Sequence, residues 1–71
     1  MTDDPIVVWV DQTEYSGGTV ALGHGATPAG DRVSFVGEPR ALRAISEALV
    51  RGDGPVLTGV QPRDVIRRAP R

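Results

Sequence analysis

The apolar positions of this chain fall into short runs with two different spacings. Ile6-Val7-Val8-Trp9-Val10 is an unbroken apolar run, β-branched at four of its five positions and bounded by Pro5 and Asp11. That composition predicts a strand. Because both of its faces are apolar, it belongs inside a sheet, or has its second face covered by another chain. Asp11 to Gly18, DQTEYSGG, is polar and ends in Gly17-Gly18, so it reads as a turn. Thr19 to Leu22 predicts a second strand, and Gly23 to Asp31, with three Gly and one Pro, a loop. Arg32 to Val36 alternates, Val33 and Phe35 pointing one way and Arg32, Ser34 and Val36 the other, which predicts a half-exposed third strand. The short connections favour an antiparallel meander of these three.

The period then changes. Leu42, Ile45 and Leu49 recur at helical spacing, flanked by Ala41, Ala44 and Ala48, while Arg40, Arg43, Glu47 and Arg51 form the opposite stripe. Pro39 suits a first helical turn and Gly52 a helix end, so the pattern predicts a helix over 39–51, with Glu47 and Arg51 spaced as an i, i+4 pair. Its apolar stripe should bury Leu42, Ile45 and Leu49 against Val8, Val10, Val33 and Phe35. Val56 to Val60 predicts a fourth strand, so Ser34 to Leu57 reads as a strand–helix–strand unit, with a right-handed crossover if the two strands are parallel. The last segment, QPRDVIRRAPR, fits either a short helical turn opened by Pro62 or an edge strand at Val65-Ile66, with the turn slightly favoured. The expected architecture is a single small α+β domain over residues 1–71: a three-stranded antiparallel meander, one amphipathic helix packed on it, a fourth strand and a short C-terminal element.

Composition narrows the class. Leu, Ile, Val and Phe make up 18 of 71 residues, enough for a folded core but a small one. A single core of this size rarely supplies more than about 3–5 kcal/mol. With no cysteine in the chain, no disulfide can add to that, so a partner subunit that shares the core is a natural expectation. The acidic start, Met1-Thr2-Asp3-Asp4, is unlike a signal peptide, and no apolar run approaches a membrane span, so a cytoplasmic location is expected. All eight basic residues are Arg, the usage of GC-rich bacterial genomes such as those of actinobacteria or their phages.

Charge is uneven. Residues 1–38 carry six acids and one Arg, and residues 39–71 carry three acids and seven Arg. The two halves can neutralise each other within the fold, or the second half can present a basic patch to an acidic protein or to nucleic acid. Arg63, Arg67, Arg68 and Arg71 concentrate in the last nine residues. Against nucleic acid stand the net charge of −1 and only three aromatic residues for base stacking.

Candidate chemistry is sparse. The Gly37-Glu38-Pro39 turn lacks the free N–H groups and positive field of a phosphate cradle, and it has no serine for a nucleophile elbow. His24, the one histidine, stands between two glycines. With Asp11, Glu14 or Asp31 it could form an acid–base or metal site, but one His without Cys is a poor transition-metal set, and a solvated loop residue is the expectation. AGD and GDG read as turns rather than calcium loops. Trp9 is expected in the core. Tyr15, in a polar segment, is expected to be exposed and able to anchor a partner. These observations predict a non-catalytic regulatory or accessory protein without catalytic residues, metal or cofactor. It would act through contact with a protein, a second copy of itself included, with Tyr15, Arg63, Arg67, Arg68 and Arg71 as contact residues. A nucleic-acid-binding module using the Arg-rich C-terminal segment is the alternative.

Overall fold

The computed structural model describes residues 4–16 and 20–70. The expected contact residue Arg71 and the pair Gly17-Gly18 lie outside that range. Five strands form one sheet in the order β4-β1-β2-β3-β5, and every neighbouring pair is antiparallel. They are β1 (Ile6–Ser16), β2 (Val20–Ala26), β3 (Arg32–Gly37), β4 (Val56–Val60) and β5 (Val65–Ala69). One helix, α1 (Pro39–Val50), packs on one face against β1, β2 and β4. The class is therefore α+β, built on an antiparallel sheet.

Two strands are longer than the pattern predicts. β1 continues through Asp11 to Ser16, where a turn was expected, because polar residues there occupy the uncovered face. The ladder to β2 slips by one residue between Val10 and Gln12, a bulge that leaves Asp11 without an opposite partner. β2 likewise runs through Gly23, His24, Gly25 and Ala26, where a loop was expected. The two glycines mark close approaches rather than flexibility. A Cβ on Gly23 would overlap the ring of Phe35, its partner on β3. One on Gly25 would overlap the backbone of β1 at Trp9 and Val10, beside the bulge.

The core lies between sheet and helix. Val8, Val10, Ala21, Val33, Phe35, Leu42 and Val60 are buried, with Ile6, Ile45 and Val65 packed against them. Val8 and Val10 occupy the inward positions of β1, so Trp9 between them must point outward. It stands 45% exposed, and its expected place in the core is corrected. On α1, Leu42 is buried and Ile45 partly so, but Leu49 is only half-buried. Leu49→Ala is accordingly expected to cost about 1–2 kcal/mol, below the usual range for a buried leucine. A urea titration giving Leu49→Ala the same cost as Leu42→Ala would show the helix to be seated differently.

The chain leaves α1 through Gly52, with φ +82°, and Arg51 pairs there with Asp53 at 3.1 Å rather than with Glu47. β4 then lies antiparallel beside β1, at the edge away from β3, so no parallel strand–helix–strand unit exists. Both expectations for the C-terminal segment are realised in succession. Pro62–Asp64 forms a 3-10 turn, and β5 follows as the edge strand beside β3.

Candidate functional site

α1 covers one face of the sheet and nothing described covers the other. Register fixes what that open face carries. Trp9 has Leu57 of β4 on one side and Ala26 of β2 on the other, so one corner holds Val7, Trp9, Leu57 and Ala26. Leu22 lies beside Val36 of β3. The ladder from β3 to β5 slips by one residue between Ser34 and Phe35, a bulge that leaves Ile66 exposed and without an opposite residue. Leu22, Val36 and Ile66 form a second apolar corner diagonally opposite. Trp9 and Val7 are nearly half exposed, and Leu57 and Ile66 are 61% and 59% exposed. Polar residues run between the two corners along the other diagonal. Asp11, Gln12 and Glu14 form one end, His24 and Ser34 the middle, and Arg32 and Arg67 the other end.

Most of this band is satisfied internally. His24 Nε2 lies 3.0 Å from a Glu14 carboxylate oxygen, and its Nδ1 lies 2.9 Å from the Ser34 hydroxyl. A carboxylate only accepts, so in the neutral ring Nε2–H donates to Glu14 and Nδ1 accepts from Ser34. Arg32 donates to Asp11 at 3.0 Å, and that hydrogen bond together with the Asp11 charge raises the guanidinium above its ordinary range. Arg68 donates from Nε to Asp31 at 2.8 Å. Arg67, paired in register with Ser34, has no ion pair among the described residues.

His24 is therefore not the solvated loop residue expected. It sits on β2, held from β1 and β3, and the inward-facing glycines on either side of it let the strands approach. The sequence placed Glu14 among its possible partners, but Ser34 became visible only through the register. A serine, a histidine and a carboxylate in series can relay a proton. Ser34 lies between His24 of β2 and Arg67 of β5 in the register, so the relay sits within the open face of the sheet. No group of three or more His, Asp and Glu able to hold a metal occurs among the described residues.

The other expected contact residues do not converge. Tyr15 falls beyond the bulge, on the helix side, where it lines a groove of about 490 Å3 with Arg43, Ser46, Glu47, Val50 and Arg51. Arg63 lies in the 3-10 turn, while Arg67 and Arg68 alternate across β5. Tyr15 on β1 and the arginines of β5, Arg67 and Arg68, are thus separated by the width of β2 and β3. Among the described residues, no helix is long and apolar enough to cross a membrane. No protein-family model, no curated protein and no solved structure matches this chain.

Proposed function

We propose that this chain is a small, non-catalytic accessory or regulatory protein that works by docking the open face of its sheet onto another protein. The observation that carries the reading is the makeup of that face. Exposed Val7, Trp9, Leu57, Val36 and Ile66 offer apolar area. The charged groups between them are largely paired within the chain, so covering the face strands few bare charges. A tryptophan standing clear of the core is also the side chain most often found to dominate binding at protein interfaces.

The nucleic-acid alternative draws less support. Arg63 lies in the 3-10 turn, Arg67 and Arg68 alternate across β5, and Arg68 is already engaged by Asp31. Catalysis at Ser34 draws less still, since the relay lies on the open face of the sheet, and substrate sites are typically concave.

The test is a doubly substituted protein, Trp9→Asp with Leu57→Asp, compared with the parent chain. At concentrations where the parent is monomeric, its circular dichroism and melt should match the parent within a few degrees, because neither residue belongs to the core. Its self-association in sedimentation and its capture of proteins from the native cell extract should both be lost. Fluorescence anisotropy with duplex and single strands should show nothing tighter than about 10⁻⁵ M at physiological salt. A fluorophosphonate probe should leave Ser34 unlabelled. Submicromolar, salt-dependent binding to DNA or RNA, labelling of Ser34, or unchanged protein association in the double variant would each overturn the reading.

A further inference from the structure

The pattern on the open face is its own complement, and we infer that its occupant is a second copy of this chain, packed face to face about a two-fold axis. The inference rests on the docking-face reading above and names its partner. The two apolar corners lie on one diagonal and the polar band on the other. In the band, acids stand at the β1 end, with Asp11 and Glu14. Bases stand at the β3–β5 end, with Arg32 and Arg67.

A two-fold axis lying in the interface along the diagonal Trp9, His24, Val36 lays each apolar corner on the same corner of the other copy. It also turns the band end for end, so acids meet bases. With strands about 4.8 Å apart and about 3.4 Å per residue, this operation brings Glu14 over Arg67 of the other copy within about one strand spacing, and Asp11 similarly near the other Arg32. Strands of the two sheets then cross at about 70°, closer to the orthogonal than to the aligned class of sheet packing. An axis along the band would instead set acids over acids. The charges therefore choose between the two arrangements that the apolar corners alone would allow.

Three further features agree. Of the two arginines on the open face, Arg32 is paired with Asp11, and Arg67, which has no ion pair among the described residues, is the one given a partner by the second copy. Both ring nitrogens of His24 and the Asp11–Arg32 pair are already satisfied, so burial at the centre of the contact orphans none of them. The flat area of five strands over about six residues is roughly 500 Å2 per copy, and side-chain relief raises the buried total above the roughly 1,000 Å2 that marks a specific interface. That size fits a micromolar rather than a nanomolar dimer.

The chain suits a direct test, because Trp9 is its one tryptophan and it has no cysteine. Sedimentation equilibrium and tryptophan emission are followed together from micromolar to millimolar concentration. Mass should rise to two chains while the emission shifts to the blue with the same midpoint. Arg67→Glu and Glu14→Arg should each weaken the dimer about tenfold or more, and the two together should recover most of the loss, since these residues stand three strands apart within one chain. Cysteine at Val36, on the axis, should be joined to its twin by a short bismaleimide. Cysteine at Val50, on the helix side and 85% exposed, should not.

A chain that stays monomeric throughout overturns the second copy while leaving the docking face to the extract experiment above. A dimer whose Trp9 emission does not move overturns both readings. A dimer that buries Trp9 but shows no recovery in the charge-exchanged double variant overturns this two-fold arrangement.

Discussion

Replacing Leu42 by alanine should leave much of the protein unfolded at ambient temperature. Leu42 is the helical residue buried to 1% exposure, and it faces β3 closely enough that a Cβ on Gly37 would stand 3.2 Å from its Cδ1. Truncating a leucine so enclosed costs about 2–5 kcal/mol, through lost burial and the cavity left behind. A chain of this length holds only about 3–5 kcal/mol in its core, so one substitution consumes most of it. Urea unfolding followed by far-UV circular dichroism measures the loss. Association favours the folded state by mass action, so the variant of a dimeric protein should regain helix on concentration. A cost below about 1 kcal/mol would show that α1 is not seated through this residue.

Gly25→Ala should be nearly as damaging, for a different reason. The added Cβ would meet backbone: the Trp9 carbonyl group, with its carbon at 2.7 Å, and the Val10 Cα at 2.8 Å. No side-chain rotation relieves a clash with main chain, so β1 and β2 must part beside the bulge or the bulge must be lost. The cost is expected at or above the upper end of the usual overpacking range, about 3 kcal/mol. Gly59→Ala is the control, since its Cβ would only approach the Pro5 ring at 3.3 Å. Amide exchange should accelerate along the β1–β2 ladder in Gly25→Ala and barely change in Gly59→Ala. Equal protection in the two would refute the close approach.

These two positions also show what could be read from the sequence and what could not. α1 was legible because Leu42, Ile45 and Leu49 carry a helical period between a proline and a glycine, both local signals. β4 was legible as a bounded β-branched run. β2 was not, because Gly23 and Gly25 look like loop residues until the ring of Phe35 and the β1 backbone are seen to occupy their side-chain space. The far half of β1 was hidden by its bulge, which breaks the two-residue alternation just where Asp11, Gln12 and Glu14 suggest a turn.

The candidate face was half legible. The two-faced apolar run Ile6–Val10 suggested either a strand inside the sheet or one with its second face covered by another chain, and β1 does lie inside the sheet, between β4 and β2. The diagonal arrangement of charges depends on which strands are neighbours, and pairing between residues far apart in sequence is not encoded by any one segment. The relay joins residues from three strands and needed the same knowledge. The C-terminal arginines looked like a patch because they are close in sequence, but of the described ones Arg63 lies in the 3-10 turn while Arg67 and Arg68 alternate across β5.

The bulge at Asp11 has an evolutionary consequence. By carrying one surplus residue, it turns Gln12 and Glu14 to the open face and Tyr15 toward the helix. Removing that residue would exchange the faces of everything beyond it, unseating Tyr15 and taking Glu14 away from His24 in a single step. Descendants of this chain can therefore vary the identity of residue 11 more freely than the number of residues between Val10 and Tyr15. An aligned set of relatives should show substitutions in that column and almost no gaps.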